Sequence, residues 1–352
     1  MANFSLAKHE RLTMKRLVLV EASGDDLTDA KLELEECPTP TPKATEVLVK
    51  VAAAPVNPSD YGSWRSKRGD GPVPIGNEGS GVVVAVGSVI AATMAGLRVG
   101  AKVGFVGAKK QGAYSEYVSA PLATTFAMPD ALPVEDACSF FVNPFTAYGI
   151  LREANGRPFV HTAAASQLGQ MLVKLAKLEG AGDALLNVVR SEKQKAILEG
   201  LGATHVVVVA DAKTDEAGVA ALKAKMAELK VTCAFDAVAG AMAGCLFTNL
   251  PPKATLYSYG RLSGDIEGVA PVDLIYRGKK LEGFFLTAWL SGGFPGARLL
   301  SAAAKVRAGL GDGGWCATTF VDCTPEAMWD KFVDMYTTTG FTDRKLRIRF
   351  PE

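Results

Sequence analysis

Histidine is scarce in this 352-residue chain, which contains only His9, His161 and His205. None lies beside a cysteine or carboxylate cluster, so no metal ligand set can be read and none is predicted. The six cysteines, Cys37, Cys138, Cys233, Cys245, Cys316 and Cys323, show no C-x-x-C spacing. That excludes a regular disulfide framework and points to reduced thiols. No apolar run approaches the roughly 20 residues that cross a bilayer, so no transmembrane helix is predicted. Charge of one sign is not in excess either: 38 Lys and Arg face 37 Asp and Glu, a net charge of +1. Neither nucleic acid nor an anionic membrane is favoured as a partner by that balance. What is present is an ordinary globular composition, 48% hydrophobic and 21% charged, and the expected partner is a small molecule. The first fourteen residues lack the apolar core of a secretory signal and the Arg-rich character of a transit peptide. They read as an extension before a start near Met14, or as a poor organelle signal. The expected compartment is therefore the cytoplasm, with the mitochondrion as the alternative.

The length exceeds what one hydrophobic core usually supports, so two domains are expected. From Arg16 to about Ala120 the pattern is of short strands separated by turns, for example Glu46-Val47-Leu48-Val49-Lys50-Val51 and Gly81-Val82-Val83-Val84. This spacing predicts a compact barrel-like β domain. Pro38, Pro40 and Pro42 mark an extended connector, because repeated proline removes the donors of a strand ladder. After Pro133 helix and strand signals alternate, with a helix over Val134 to Phe141 and strands near 159–163, 184–189, 205–209, 232–236, 254–259 and 280–286. Alternation of this kind specifies an α/β fold with a doubly wound parallel sheet. His161 and His205 fall in two of these strands and read as core histidines. Helices expected at 295–308 and 325–338 and a last strand at 345–350 break the rhythm. The expected boundaries are 141–286 for the parallel-sheet domain and 14–140 with 287–352 for the domain split around it. The run from Lys280 to Trp289 reads as one apolar strand at a sheet edge, which predicts a homodimer paired across a two-fold axis.

The stretch richest in chemistry is Phe159-Val160-His161-Thr162-Ala163, followed by the small-residue turn Ala164-Ala165-Ser166-Gln167-Leu168-Gly169 and an amphipathic helix. Against G-x-G-x-x-G it retains Ala164, Ser166 and Gly169, of which only Gly169 matches. Such a turn is open to two readings: small residues for strand-helix packing, or a degenerate dinucleotide fingerprint with an anion site at the helix N-terminus. About twenty residues further on, the next strand delivers Arg190 where an NAD-binding unit places Asp or Glu. A guanidinium there can clamp a 2′-phosphate through charge-assisted hydrogen bonds. The expected cofactor is NADPH.

Three segments in this order, Ala54-Pro55-Val56-Asn57-Pro58-Ser59-Asp60, Gly76-Asn77-Glu78-Gly79-Ser80-Gly81-Val82-Val83 and the central βαβ unit, give the chain a resemblance to the medium-chain dehydrogenases/reductases. The resemblance spans nearly the whole chain. It implies a GroES-like β-barrel catalytic domain around a Rossmann domain, with the active site in the cleft between them. Within that superfamily the chain resembles the zinc-free branch, since Asn57-Pro58-Ser59-Asp60 and Asn77-Glu78 stand where zinc enzymes carry Cys and His. Finer motifs are similar to the mitochondrial-type 2-enoyl thioester reductases: Val142-Asn143-Pro144-Phe145-Thr146-Ala147-Tyr148, Asn187-Val188-Val189-Arg190, Thr255 to Gly260, and Leu281 to Trp289.

The resemblance implies cofactor contacts from Asn143 and Thr146, and an approach of Tyr259, Gly260, Phe284, Phe285 and Leu286 to the nicotinamide. Without the resemblance, the same residues read as buried strand and helix packing. Those reductases place a proton-donating Tyr where this chain has Arg68. Tyr61 is the candidate replacement, with solvent as the alternative donor and a packed or cleft-rim role equally open for this tyrosine, and Asn57 is the candidate for positioning substrate or nicotinamide ribose, with Asp60 as its orienter. The basic stretch 65–70 is either a solvated loop or a mouth for an anionic substrate. The function expected is reduction of a quinone or an activated C=C by NADPH without zinc. An enoyl thioester reductase and an NADPH-binding sensor or structural protein without turnover remain as alternatives.

Overall fold

The computed structural model describes residues 13–67, 69–108, 110–294, 296–311 and 313–351, the side chain of Thr339 excepted. The expectations for residues 1–12 and for Arg68 lie outside the described residues. Two compact units divide the chain, Met1–Val142 with Gly309–Glu352 and, between these segments, Asn143–Ala308.

The first unit opens with β1 (Thr13–Glu21) and β2 (Lys31–Pro38), which pair antiparallel and bury Leu17 and Leu19. Next come β3 (Glu46–Pro55), α1 (Pro58–Ser63), β4 (Val73–Pro74), β5 (Glu78–Val86) and α2 (Val89–Met94). β6 (Lys102–Val106), β7 (Tyr117–Pro121) and β8 (Thr125–Ala127) follow. The long β3 is the spine, pairing antiparallel with both β5 and β7. Its Val47, Val49 and Val51 join Leu17, Val83 and Phe105 in one hydrophobic core. The helix expected at 134–141 is a 3-10 turn over Val134–Ser139.

The second unit runs α3 (Val142–Ala154), β9 (Phe159–His161), α4 (Gln167–Leu178), β10 (Leu185–Val189), α5 (Glu192–Gly200) and β11 (His205–Val208). It continues with α6 (Glu216–Glu228), β12 (Cys233–Asp236), α7 (Gly240–Asn249), β13 (Thr255–Ser258), α8 (Pro271–Ile275) and β14 (Lys280–Gly283). α9 (Leu286–Ser291) and α10 (Ala297–Ala308) close it. All six strands pair in parallel in the order β11-β10-β9-β12-β13-β14, the doubly wound sheet that the alternation predicts. The order reverses between β9 and β12, and the carboxyl ends of strands at such a switch point are where these sheets bind ligands.

Two expectations are corrected here. The run 280–289 is not one strand: it stops at Gly283, and Leu286 begins a helix. Its indole end turns toward α3, where Trp289 Nε1 donates to Glu153 Oε2 at 3.1 Å. Residues 287–308 belong to this unit and not to the returning segment. Tyr148 and Ser301 share a hydrogen bond of 2.6 Å, and Lys305 pairs with Glu179 at 2.9 Å, which fastens α10 to α3 and to the end of α4.

The chain re-enters the first unit with β15 (Phe320–Cys323), α11 (Met328–Asp334) and β16 (Lys345–Arg349). β16 pairs antiparallel with β3 and parallel with β15. The seven-stranded sheet of the first unit, one of its two among the described residues, therefore contains β16, contributed by the returning end of the chain.

Candidate functional site

At the carboxyl end of β9 the chain turns sharply. Ala163 adopts φ 50°, and Ala239, just past β12, adopts φ 61°. Non-glycine residues are rarely held there, and such strain collects at binding sites. The two strand ends are tied together: Thr162 Oγ1 donates to Asp236 Oδ1 at 2.6 Å and accepts from Ala237 N–H at 2.9 Å. Asp236 Oδ2 in turn accepts from Ala239 N–H at 2.7 Å. Ala164 is buried, and Ser166 caps α4, its Oγ accepting from Gly169 N–H at 3.2 Å. At Gly169 a Cβ would stand 2.1 Å from the Ala164 carbonyl oxygen, so no larger residue lets helix and strand turn meet this closely. That contact, together with the dipole of α4 opening at Gln167 and Leu168, fits a pyrophosphate cradle. Arg190 lies one residue past β10, exposed, its backbone N–H donating to Gln194 Oε1 at 2.8 Å.

On the other side of the switch point Tyr259 follows β13, its N–H donating to Asp236 O at 2.9 Å. A Cβ on Gly260 would stand 2.6 Å from Ala237 O, so this turn too requires glycine. Phe284 is buried against Phe235 and Trp289, Phe285 is exposed, and Leu286 is half-buried at the start of α9. Asn143 and Thr146 are buried one turn apart on α3. The structure thus gathers Ala164, Ser166, Gln167, Leu168, Gly169, Arg190, Tyr259 and Gly260 along the carboxyl edge of one sheet. His161, read as an ordinary core histidine, is satisfied on one nitrogen only: Nε2 lies 2.6 Å from the Tyr259 hydroxyl, while Nδ1 is buried without a partner.

The first unit carries a separate buried polar cluster. Asn57 caps α1, and the Asp60 carboxylate accepts from the Asn57 backbone N–H at 2.8 Å. Asp60 therefore does not orient the Asn57 amide, as expected from sequence. That task falls to two residues the sequence analysis missed. Glu78 Oε1 accepts from Asn57 Nδ2 at 2.9 Å, and Lys345 Nζ donates to Asn57 Oδ1 at 2.5 Å. With a donor on one amide atom and an acceptor on the other, the flip of Asn57 is fixed. Glu78 also accepts from the N–H groups of Phe141 and Val142 at 2.9 and 3.0 Å. Burial raises the Glu78 carboxyl above its ordinary range and lowers the Lys345 ammonium. Asp60, fully buried, is pushed up by that burial to about 7. Polarity inside an otherwise apolar β pattern, as at Lys345 and Arg347, was the only signal that could have found Lys345.

The cluster does not fit zinc. Its donors are amide, hydroxyl and carboxylate oxygens, Asn77 Nδ2 lies 3.4 Å from Ser59 Oγ, and an ammonium already occupies the Asn57 oxygen. Protein zinc sites take thiolate, imidazole and carboxylate ligands, and among the described residues no group of three or more His, Cys, Asp and Glu side chains could hold a metal ion.

Tyr61 is not in this cluster. Its ring packs among Trp64, Phe332, Tyr336 and Phe341 at centroid distances of 5.4–6.4 Å. Burial holds its phenol well above its ordinary value. This environment suits packing, the other role a tyrosine beside Asp60 could have.

Comparison with known proteins adds to this geometry. The model of the alcohol dehydrogenase GroES-like domain matches residues 43–130, and that of the zinc-binding dehydrogenase family matches residues 168–300. The mitochondrial enoyl-[acyl-carrier-protein] reductase of Bos taurus is 29% identical over 257 residues, 70% of this chain. That match spans 66% of the bovine protein, just under two thirds of its length. A Mesorhizobium loti protein assigned as an NADPH:quinone reductase superposes with a TM-score of 0.82 at 29% identity, covering 97% of this chain and 99% of its own. Escherichia coli quinone oxidoreductase in complex with NADPH gives a TM-score of 0.79 at 20% identity, covering 94% and 99%.

Proposed function

Because the chain belongs to the zinc-free branch of the medium-chain dehydrogenase/reductase superfamily, we propose that it is an NADPH-dependent reductase acting on a quinone or on the activated C=C of an α,β-unsaturated carbonyl compound. The observation that carries the reading is the edge of the parallel sheet, where Gly169, the opening of α4 and Arg190 meet the requirements of a 2′-phosphorylated dinucleotide. NADPH in the Escherichia coli structural neighbour supports it.

In this reading Ala164, Ser166, Gln167, Leu168 and Gly169 cradle the pyrophosphate, and Arg190 clamps the 2′-phosphate. Tyr259, Gly260 and the backbone of Phe284 to Leu286 flank the nicotinamide, and Asn143 and Thr146 contribute from α3. Bound NADPH supplies the hydride, and the protein supplies orientation. Asn57, its amide fixed by Glu78 and Lys345, is the candidate for positioning the substrate or the nicotinamide ribose. The proton comes from solvent, with Tyr61 as the alternative donor.

The names of the curated relatives favour a second reading, an enoyl thioester reductase. NADPH oxidation against a panel of quinones, enones and enoyl thioesters tests both. Turnover fastest on a quinone or simple enone supports the first, and turnover fastest on a long-chain enoyl thioester supports the second. Binding of NADPH with no turnover on any of them would leave a sensor or structural role.

The reading includes a homodimer. β14 is an edge strand of its sheet, and Ile275, Tyr276, Leu281 and Phe285 beside it are exposed. An uncovered edge with apolar side chains invites pairing across a two-fold axis. Among the described residues no helix is long and apolar enough to cross a membrane. The six free cysteines fit a reducing compartment, the cytoplasm first and the mitochondrial matrix second.

A further inference from the structure

We propose that Tyr259 points its hydroxyl proton at an acceptor oxygen on the nicotinamide half of the bound dinucleotide, and that buried His161 is the positioning residue that sets this direction. The inference rests on the dinucleotide reading above and adds to it a polar contact made by two side chains.

The argument starts from the imidazole. His161 ends β9, is fully buried, and its ring lies parallel to that of Tyr259, with 3° between the planes and 5.8 Å between centroids. Burial lowers its pKa to about 3, so it carries one proton near neutrality. If that proton were on Nδ1, an N–H donor would be buried with nothing to accept it. Buried orphan donors are rarer than under-used acceptors. The proton therefore sits on Nε2 and is donated across the 2.6 Å contact to the Tyr259 oxygen. Tyr259 then accepts from His161, and its own O–H is left to point elsewhere. A phenol has one donor and two acceptor positions, and His161 takes an acceptor position only.

Location decides what receives the O–H. Tyr259 stands at the carboxyl end of β13, across the switch point from β10 and Arg190. A dinucleotide with its 2′-phosphate at Arg190 and its pyrophosphate at α4 extends its other half toward β12 and β13. The available acceptors on that half are the carboxamide and ribose oxygens of the nicotinamide riboside.

The test uses the full chain and two ligands, NADPH and 2′,5′-ADP, the second of which lacks the nicotinamide half. Calorimetry should show Tyr259→Phe weakening NADPH about tenfold, the loss typical of a hydrogen bond of ~1.4 kcal/mol. Affinity for 2′,5′-ADP should not change. His161→Leu should match Tyr259→Phe, the double variant should be no worse than either, and His161→Gln, which keeps an N–H donor, should recover most of the loss. With three histidines in the chain, ¹⁵N spectra of histidine-labelled protein can be assigned by the loss of one signal set in His161→Gln. They should report the Nε2–H tautomer. Unchanged NADPH affinity in Tyr259→Phe, equal losses for both ligands, or an Nδ1–H tautomer would each overturn the inference. Wild-type protein that binds neither ligand would overturn the dinucleotide reading itself, a result distinct from all of these.

Discussion

In the proposed reading cofactor choice turns on Arg190, whose place just past β10 was legible in the sequence because spacing from a strand-turn-helix fixes where the second strand ends. Removing it should weaken NADPH by roughly ten- to a hundredfold, the loss of one charge-assisted contact of about 1.5–3 kcal/mol. Calorimetry on Arg190→Ala should show NADH nearly unaffected, and equal losses for both cofactors would show that Arg190 does not read the 2′-phosphate. The partners of Asn57 were not legible. Lys345 reaches it from 288 residues away, and nothing local in the sequence encodes that meeting. The same cluster gives a pH dependence with a definite sign. Asp60 titrates near 7 when folded, against an ordinary value of 3.8, so the folded state binds the proton more tightly. Its contribution to stability is then present below about pH 4 and is lost as pH rises toward 7. Denaturant unfolding at pH 5 and pH 7.5 should show a smaller difference in Asp60→Asn than in the wild type, and an identical difference would remove Asp60 from the account. For Tyr61, where the sequence left a donor and a packing role open, Tyr61→Phe keeps the ring. A loss of turnover within the 10²–10⁴-fold range of a general acid would make it the donor, whereas unchanged rates on both a quinone and an enone, the result expected from its aromatic surroundings, assign it to packing.

At the scale of elements, the alternation of helix and strand signals after Pro133 was enough to give six parallel strands, because strands buried on both faces read as short apolar runs between helices. The errors came where apolar character and strand geometry part company. Leu286 to Trp289 continues the apolar run of Phe284 and Phe285, yet it coils into a helix that buries Leu290 and places the Trp289 indole against Glu153. Likewise 134–141 has helical periodicity but forms only a 3-10 turn, whose Glu135 and Asp136 bind Arg349 and Arg347 of β16. The turn between β9 and α4 makes the element-scale prediction. Gly169→Ala forces the Ala164 carbonyl and the start of α4 apart, because the added Cβ would stand only 2.1 Å from the Ala164 oxygen. It should lower stability by roughly 1–3 kcal/mol, as overpacking does, and weaken NADPH and 2′,5′-ADP alike. Wild-type stability and affinity in this variant would mean that strand and helix do not need that contact.

For the whole molecule, composition set the class and family motifs set the order of the two units, but the point of return lay beyond sequence reasoning. Helices α9 and α10 look no different from those of the first unit until their partners Glu153, Tyr148 and Glu179 are seen. The exposed edge at β14 predicts a dimer by light scattering at micromolar concentration, and a monomer there would mean that this edge stays unpaired. The central claim is hydride delivery from NADPH without a metal, from a chain whose Asn57, Ser59 and Asn77 stand where zinc enzymes carry ligands. It is tested most directly by the rate of NADPH oxidation with a quinone and an enone before and after exhaustive dialysis against a chelator. The account predicts the same rate in both samples, with NADPH used in strong preference to NADH. Stoichiometric zinc in the purified protein, removed together with the activity, would contradict it.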